Sequence, residues 1–385
     1  MKVVLFRVHF FPGLCLLALG LGLQFLLLRR LLERFGRRAW LMAATAVSTT
    51  VLLLGYLLEF HRFARYFPVG LATWTECAAL VETMLLIGVF FAALVWRAPI
   101  LRRHTQDLAA SRRAFLKTAS VSLAIAPLAA TGFGIIQRNR FRLSEVSVPV
   151  PNLGKDLDGL RIVQITDIHL SPFLSEQEFA RTIDMANETR AHIGLVTGDL
   201  ISRRGDPLDA CLKQLARLRA EAGILGCLGN HEVYTGTEEY VTESGRKIGI
   251  DFLRHRARVL KFGKTALNFA GVDYQRFEHR YLVGTEQLVM PGAINVLLSH
   301  NPDVFPVAAS QGFDLTIAGH THGGQVNFEI LHENWNVARY YTRYVRGLYR
   351  EGRSAVYVSS GIGTIGVPVR IGAPPEVSLI RLCAT

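Results

Sequence analysis

Five short apolar runs in this chain each end in residue types that can bind metal ions. RIVQITDIH ends in Asp167 and His169, and IGLVTGDL leads to Asp199. GILGCLGNHE ends in Asn230, His231 and Glu232, INVLLSH in His300, and LTIAGHTH in His320 and His322. Five of the 12 histidines belong to this set. Carboxylate and amide oxygens with neutral imidazoles, and no thiolate, suit Mn, Fe or Zn. Two divalent ions about 3.5–4 Å apart need a bridging carboxylate and several nitrogen or oxygen ligands. One histidine at the end of an apolar run is more often packed than ligating. Five such motifs in order outweigh that reading.

The elements that must position these residues alternate. After Asp167 and His169, Ser175 stands three residues before Glu178, a capping box, and Phe179, Ile183 and Ala186 mark one helical face. A strand is expected over 192–197. Asp206-Pro207 reads as the start of a second helix, with Leu208, Cys211, Leu212, Leu215 and Leu218 inward and Gly223 as its stop. A strand over 224–228 follows. This β-α-β-α-β order predicts a layered α/β domain, in which ligands gather at strand C-termini. The glycines before Asp199, Asn230 and His320 allow tight turns toward a common point. From 250 onward the pattern is strand-rich: ARVLKF, ALNFAGVDY and INVLLSH, further strands over 313–319 and 354–360, and EVSLIRL near the end.

Charge divides the chain. Its formal net charge is +12 over 385 residues. Residues 1–142 carry 18 Lys and Arg against 5 Asp and Glu, whereas residues 143–385 carry 25 against 26. The basic part is also the apolar part, so its charge reads as a topology signal and not as a nucleic-acid footprint. Four runs, 3–28, 40–60, 71–96 and 114–136, are long enough to span a bilayer. Arginines crowd the loops 29–38 and 97–113, which the positive-inside rule assigns to the cytoplasm. Four spans then place the following domain on the exported face. Glu76 and Glu82 fall in the third span, where acids are functional candidates. The five cysteines show no Cys-x-x-Cys spacing and read as small buried residues.

Taken together, D-x-H, G-D, G-N-H-E, H and G-H-x-H resemble the calcineurin-like metallophosphoesterase superfamily. AGHTHGGQV at 318–326 and the tail GIGTIGVPVRIGAPPEVSLIRL at 361–382 resemble its membrane-anchored bacterial branch. Ser111-Arg112-Arg113-Ala114-Phe115-Leu116-Lys117 resembles a twin-arginine export signal, here internal to the chain. The resemblance covers about residues 145–383. It implies a four-layer α/β/β/α sandwich of two mixed sheets, preceded by a bundle of about four transmembrane helices. The expected divisions are 1–136 for the membrane region, 137–160 for a linker and entry strand, and 161–385 for the metallophosphoesterase domain.

The resemblance also implies two divalent cations, one on Asp167, His169, Asp199 and His322, the other on Asp199, Asn230, His300 and His320. Asp199 would bridge. His231 would not ligate but would stabilise the transition state or protonate the leaving oxygen. A metal-bridging hydroxide would attack a phosphomonoester, phosphodiester or pyrophosphate. The implied setting is a bacterial inner membrane, with membrane lipids as partners and a phosphoester substrate, lipid-linked among the options. Nucleic acid is not expected as a partner. Two rivals remain. One is a UDP-2,3-diacylglucosamine-type pyrophosphatase of lipid A synthesis, whose substrate faces the cytosol. The other is a non-catalytic membrane scaffold, which would have no need of His231.

Two further motifs are decoys. Gly361 to Gly366 fits G-x-G-x-x-G, but Pro368, Pro374 and Pro375 forbid the helix a dinucleotide site requires. RYYTRYVRGLYR at 339–350 reads as a surface hairpin.

Overall fold

The computed structural model describes residues 2–58, 66–97, 109–276, 280–330 and 333–385. They form two compact units, Met1–Gly134 and Ile135–Thr385.

The first unit is built on α1 (Lys2–Phe35), α2 (Ala39–Leu58), α3 (Val69–Arg97) and α4 (Ala109–Gln137). All four are long and apolar enough to cross a membrane, over Gly13–Phe35, Ala39–Leu58, Val69–Val95 and Lys117–Gln137. The first helix runs past the expected span, so Arg29, Arg30 and Arg34 lie in its last turns and not in a loop. Residues 98–108, which hold Arg102 and Arg103, fall outside the described residues. The SRRAFLK run falls in the first turns of α4. Helices in lipid associate through small residues and polar contacts. Gly55 accordingly presses on Ala79 and the Thr75 carbonyl. Near the middle of three spans, Gln24 Nε2 donates to Ser48 Oγ at 2.6 Å, and Ser48 donates to Glu82. Thr49 closes the group by donating to Gln24 Oε1 at 3.1 Å. The acid singled out in the third span is therefore the end of a hydrogen-bonded chain across three helices.

In the second unit, one mixed sheet has the order β1-β14-β2-β3-β4-β5, with β1 (Arg142–Val150), β2 (Arg161–Ile165), β3 (Ile193–Thr197), β4 (Ile224–Cys227), β5 (Ile250–Phe252) and β14 (Glu376–Ala384). The other has the order β12-β13-β9-β8-β7-β6, with β6 (Arg256–Phe262), β7 (Thr265–Gly271), β8 (Ile294–Leu298), β9 (Leu315–Ala318), β12 (Gly347–Glu351) and β13 (Ser354–Val358). A small hairpin, β10 (Asn327–Ile330) and β11 (Glu333–Asn336), stands apart. Ile162, Leu195, Leu225, Phe269, Val296 and Ile317 fill the space between the sheets. On the outer face of the first sheet, Val163, Val196 and Leu379 meet α5 (Glu176–Glu188), α6 (Leu208–Leu215) and α8 (Glu238–Lys247). On the second, Val356 and Val358 meet Phe305 of α9 (Phe305–Gln311). Two covered faces explain why β3, β8 and β9 are buried along their whole length and read as unbroken apolar runs. The result is the expected four-layer α/β/β/α sandwich, preceded by the four apolar helices.

Local readings met different fates. The capping box forms: Ser175 accepts from Glu178 N, and Glu178 accepts from Ser175 N at 2.8 Å. Asp206 does not cap α6. Its carboxylate accepts from Ser202 N and Arg203 N at 3.0 and 2.8 Å, so it closes the preceding turn, and the helix starts at Leu208. The helix also ends at Leu215, well before Gly223. No helix starts in 361–366. The hairpin expected at 339–350 lies later, between β12 and β13, and Tyr344 packs edge-on against Phe305 with ring centres 5.5 Å apart.

Candidate metal centre

Every ligand-type residue follows a strand. Asp167 and His169 follow β2, Asp199 follows β3, and Asn230 opens α7 (Asn230–Thr235) after β4. His300 follows β8, and His320 and His322 follow β9. The two sheets thus bring five loops to one point. Asp167, His169, Asp199, His231, His300 and His322 are all buried.

The loops hold unusual backbone. Asp167, His169, Asp199, His320 and His322 all take left-handed conformations, with φ of 49°, 47°, 56°, 75° and 52°. Such conformations are uncommon outside glycine and cluster where function demands them. The glycines serve two ends. Gly198, at φ 91°, turns the chain as expected. Gly229 and Gly319 are needed for room: a Cβ there would overlap the carboxylates of Asp199 and Asp167 respectively.

Asp199 lies between two groups of ligand-type residues. Its Oδ1 accepts from His231 N at 2.9 Å, while its Oδ2 stands 3.5 Å from His169 Nε2 and 3.0 Å from His300 Nε2. Asp167 Oδ1 lies 3.5 Å from His322 Nε2, and both its oxygens accept from His320 N. Three groupings bring ligand atoms within 4.8 Å of one another: Asp167, His169 and His322; Asp199, His300 and His320; and His169, Asp199 and His231.

The far side of each imidazole fixes its presentation. His300 Nδ1 meets the Thr197 carbonyl at 2.7 Å, and His231 Nδ1 meets the Ser202 carbonyl at 2.6 Å. A carbonyl only accepts, so each neutral ring carries its proton on Nδ1 and presents Nε2 as a lone pair. His169 Nδ1 meets Ser202 Oγ at 3.1 Å.

Two tests show that these residues fit metal ions. His169 Nε2, Asn230 Oδ1 and His322 Nδ1 are buried and make no hydrogen bond, and His300 Nε2 faces the Asp199 carboxylate at 3.0 Å. Buried polar atoms are almost always paired, and a cation is the partner that suits this donor set. The acidities tell the same story. Burial pulls the His231 imidazole down to about 4 and His320 to about 3. Burial also opposes protonation of His300, but the carboxylates of Asp199 and Asp167 outweigh it and lift the ring to about 10. Burial raises the Asp167 carboxyl and works against Asp199, which His300 and His231 nonetheless hold well below the usual carboxylate range. The site is thus built for positive charge beside its two carboxylates.

Three supporting residues escaped sequence reasoning. Glu232 stands in the GNHE motif, yet its role lies in the backbone: its carboxylate accepts from Asp199 N, Leu200 N and Gly229 N at 2.9, 2.8 and 2.7 Å. Burial, then the nearby Asp199, raise its pKa against those three donors. Arg370 is wholly buried and donates to the carbonyls of Ser360, Gly361, Gly363, His322 and Ala373. Its charged type inside VPVRIG was the available signal. Tyr274 places its ring 5.6 Å from that of His320, and nothing in the sequence marks it.

Residues 160–324 match the family model described as Calcineurin-like phosphoesterase, and the chain carries a calcineurin-like metallophosphoesterase domain. It is 30% identical over 256 residues to a transmembrane protein with metallophosphoesterase domain from Danio rerio, covering 63% of this chain and 57% of that one. It is also 30% identical over 246 residues to an uncharacterized metallophosphoesterase of Campylobacter jejuni, covering 62% of this chain and 63% of that one. An uncharacterized metallophosphoesterase of Bacillus subtilis is 27% identical over 285 residues, which cover 71% of this chain and 98% of the relative. The chain thus spans less than two thirds of the first two relatives.

Proposed function

We propose that this protein is a membrane-anchored phosphoesterase that works with two divalent cations, Mn, Fe or Zn. The observation that carries the reading is Asp199 Oδ2, set between His169 Nε2 and His300 Nε2. One cation would be held by Asp167, His169, Asp199 and His322, the other by Asp199, Asn230, His300 and His320. Such ions supply a water of lowered pKa and polarise phosphoryl oxygens.

The chain's own residues supply position and protons. The Thr197 and Ser202 carbonyls hold the rings of His300 and His231 in place. His231 offers a ring nitrogen to the same space as the proposed ligands, within 4.8 Å of ligand atoms of His169 and Asp199. A phosphoryl anion beside Nε2 would raise its proton affinity from the low value that burial imposes, and the resulting N–H would meet charge on the leaving oxygen. That charge develops only in the transition state. Removing such an interaction lowers kcat and kcat/KM together.

His231→Ala should therefore lose about 10²–10⁴-fold on alkyl phosphoesters and far less on nitrophenyl esters, whose leaving group needs no proton. Equal losses on both would mean that His231 only positions the phosphate. Excess chelator should abolish all activity. Full turnover in chelator would refute the metal-dependent reading.

The positive-inside count and the SRRAFLK run support a catalytic domain on the exported face of a bacterial inner membrane. A reporter fused after residue 200 tests this. A cytosolic signal would overturn it and favour the cytosolic pyrophosphatase reading.

A further inference from the structure

A second cleft opens on the outer face of the first sheet, with a volume of about 700 Å³. That is the size of a small-ligand site. It is lined by three arginines, Arg161, Arg190 and Arg381, and by two glutamates, Glu145 and Glu188. Arg161 opens β2 and Arg190 precedes β3, whereas the metal-ligand residues follow those strands. The cleft therefore lies at the opposite edge of the sheet, about 20 Å along β2 from Asp167 at 3.3 Å per residue.

The arginines are arranged against their own electrostatics. Arg161 and Arg381 stand directly opposite each other where β2 pairs with β14. Like charges in that position destabilise a sheet. Among the described residues, no carboxylate lies within ion-pair distance of Arg161, Arg190 or Arg381. Arg161 donates one terminal nitrogen to the Arg190 carbonyl at 2.8 Å, which draws the third arginine's backbone into the group. Its Nε is buried and makes no hydrogen bond. A buried donor without an acceptor costs about 1–3 kcal/mol. Guanidinium forks of this kind match the oxygens of a phosphate or carboxylate.

We propose that this cleft binds the phosphodiester headgroup of an anionic membrane phospholipid. Three positive and two negative side chains leave the cleft at +1, which suits the single charge of a phosphodiester better than a free phosphate dianion. Leu143 and Met185 add apolar surface beside the charges, and Leu143 is 40% exposed on its strand. Leu143 is also only six residues beyond Gln137, where the fourth apolar span ends. Arg161 and Arg381 stand level with Ser147, ten residues beyond Gln137, so the chain holds them within about 35 Å of the end of that span. The cleft is independent of the metal site and of what that site hydrolyses.

Native mass spectrometry of the full chain, released from neutral detergent with phosphatidylglycerol, tests the idea. Other lipids bind the apolar helices, so the reading is the difference between wild type and Arg161→Gln/Arg381→Gln. The double variant should retain phosphatidylglycerol about tenfold more weakly for each fork lost. Glu145→Gln should bind as tightly as wild type or tighter. Millimolar inorganic phosphate should not displace the lipid. In parallel, phosphatidylglycerol should slow amide exchange in segments 142–150 and 376–384 of the wild type. If the double variant melts early, Arg381→Gln alone, at an exposed position, replaces it. Equal lipid retention in wild type and variant, or unchanged exchange in both segments, would overturn the proposal. Displacement by inorganic phosphate would overturn the lipid assignment in favour of a soluble anion.

Discussion

Glu232→Gln tests whether the metal centre depends on a carboxylate that touches no metal. Glu232 Oε2 accepts from Asp199 N and Gly229 N, and Oε1 accepts from Leu200 N. A glutamine of the same shape can place its carbonyl at Oε2 and keep two of these bonds. Its amide nitrogen then faces Leu200 N, donor against donor. A hydrogen bond to a charged acceptor contributes about 1.5–3 kcal/mol, and a buried donor left unmet costs about 1–3 kcal/mol. The two overlap, so the expected loss is about 2–4 kcal/mol. For a domain of this size that corresponds to a melting temperature lower by roughly 4–16 °C. Asp199 N and Gly229 N flank ligand residues, so the metal should also be held about 10–100-fold more weakly, as when other outer partners of a metal site are lost. Differential scanning of the metal-free full chain at pH 8 gives the first quantity, and competition with a chromogenic chelator gives the second. A melting temperature within a degree of wild type, with unchanged metal affinity, would refute the bracing role.

Other expectations follow from the same geometry. Asp199→Ala should reduce bound metal to one ion or none per chain, whereas His231→Ala should leave it near two. Elemental analysis showing the reverse order would make His231 a ligand through its grouping with His169 and Asp199. Arg370→Met should destabilise the domain by about 3–5 kcal/mol, as expected for disrupting a buried, fully bonded charge, and denaturant titration reads the loss. Gln24→Leu should weaken the packing of the apolar helices by about 0.6–1.7 kcal/mol, measurable by unfolding in lipid. No change there would mean that the Gln24, Ser48 and Glu82 contacts carry no net stability.

The strands and the residues at their ends were legible because both depend on local pattern. A strand covered on two faces reads as an unbroken apolar run, so β2, β3, β4, β8 and β9 announced themselves, and the polar residue ending each run marked the site. The bracing was not legible. Glu232 binds backbone, and any acceptor of the right length at that point would look the same in sequence. Arg370 meets carbonyls of Ser360 and His322, brought to it by chain reversals that no spacing encodes. Asp206 misled for a related reason. Asp before Pro is a helix-start signal, but the same carboxylate can close the turn before it, and here that turn wins.

The left-handed residues of the metal loops have a consequence for how this domain can change. Each such conformation costs on the order of 1–3 kcal/mol, and five ligand-type residues adopt it. Glycine would relieve the strain at any of them while deleting a ligand-type side chain. A screen that rewards only thermal tolerance of the metal-free chain should therefore drift toward glycine at Asp167, His169, Asp199, His320 and His322. The most foldable version of this domain would be a silent one, and selection for chemistry is what keeps its loops under tension.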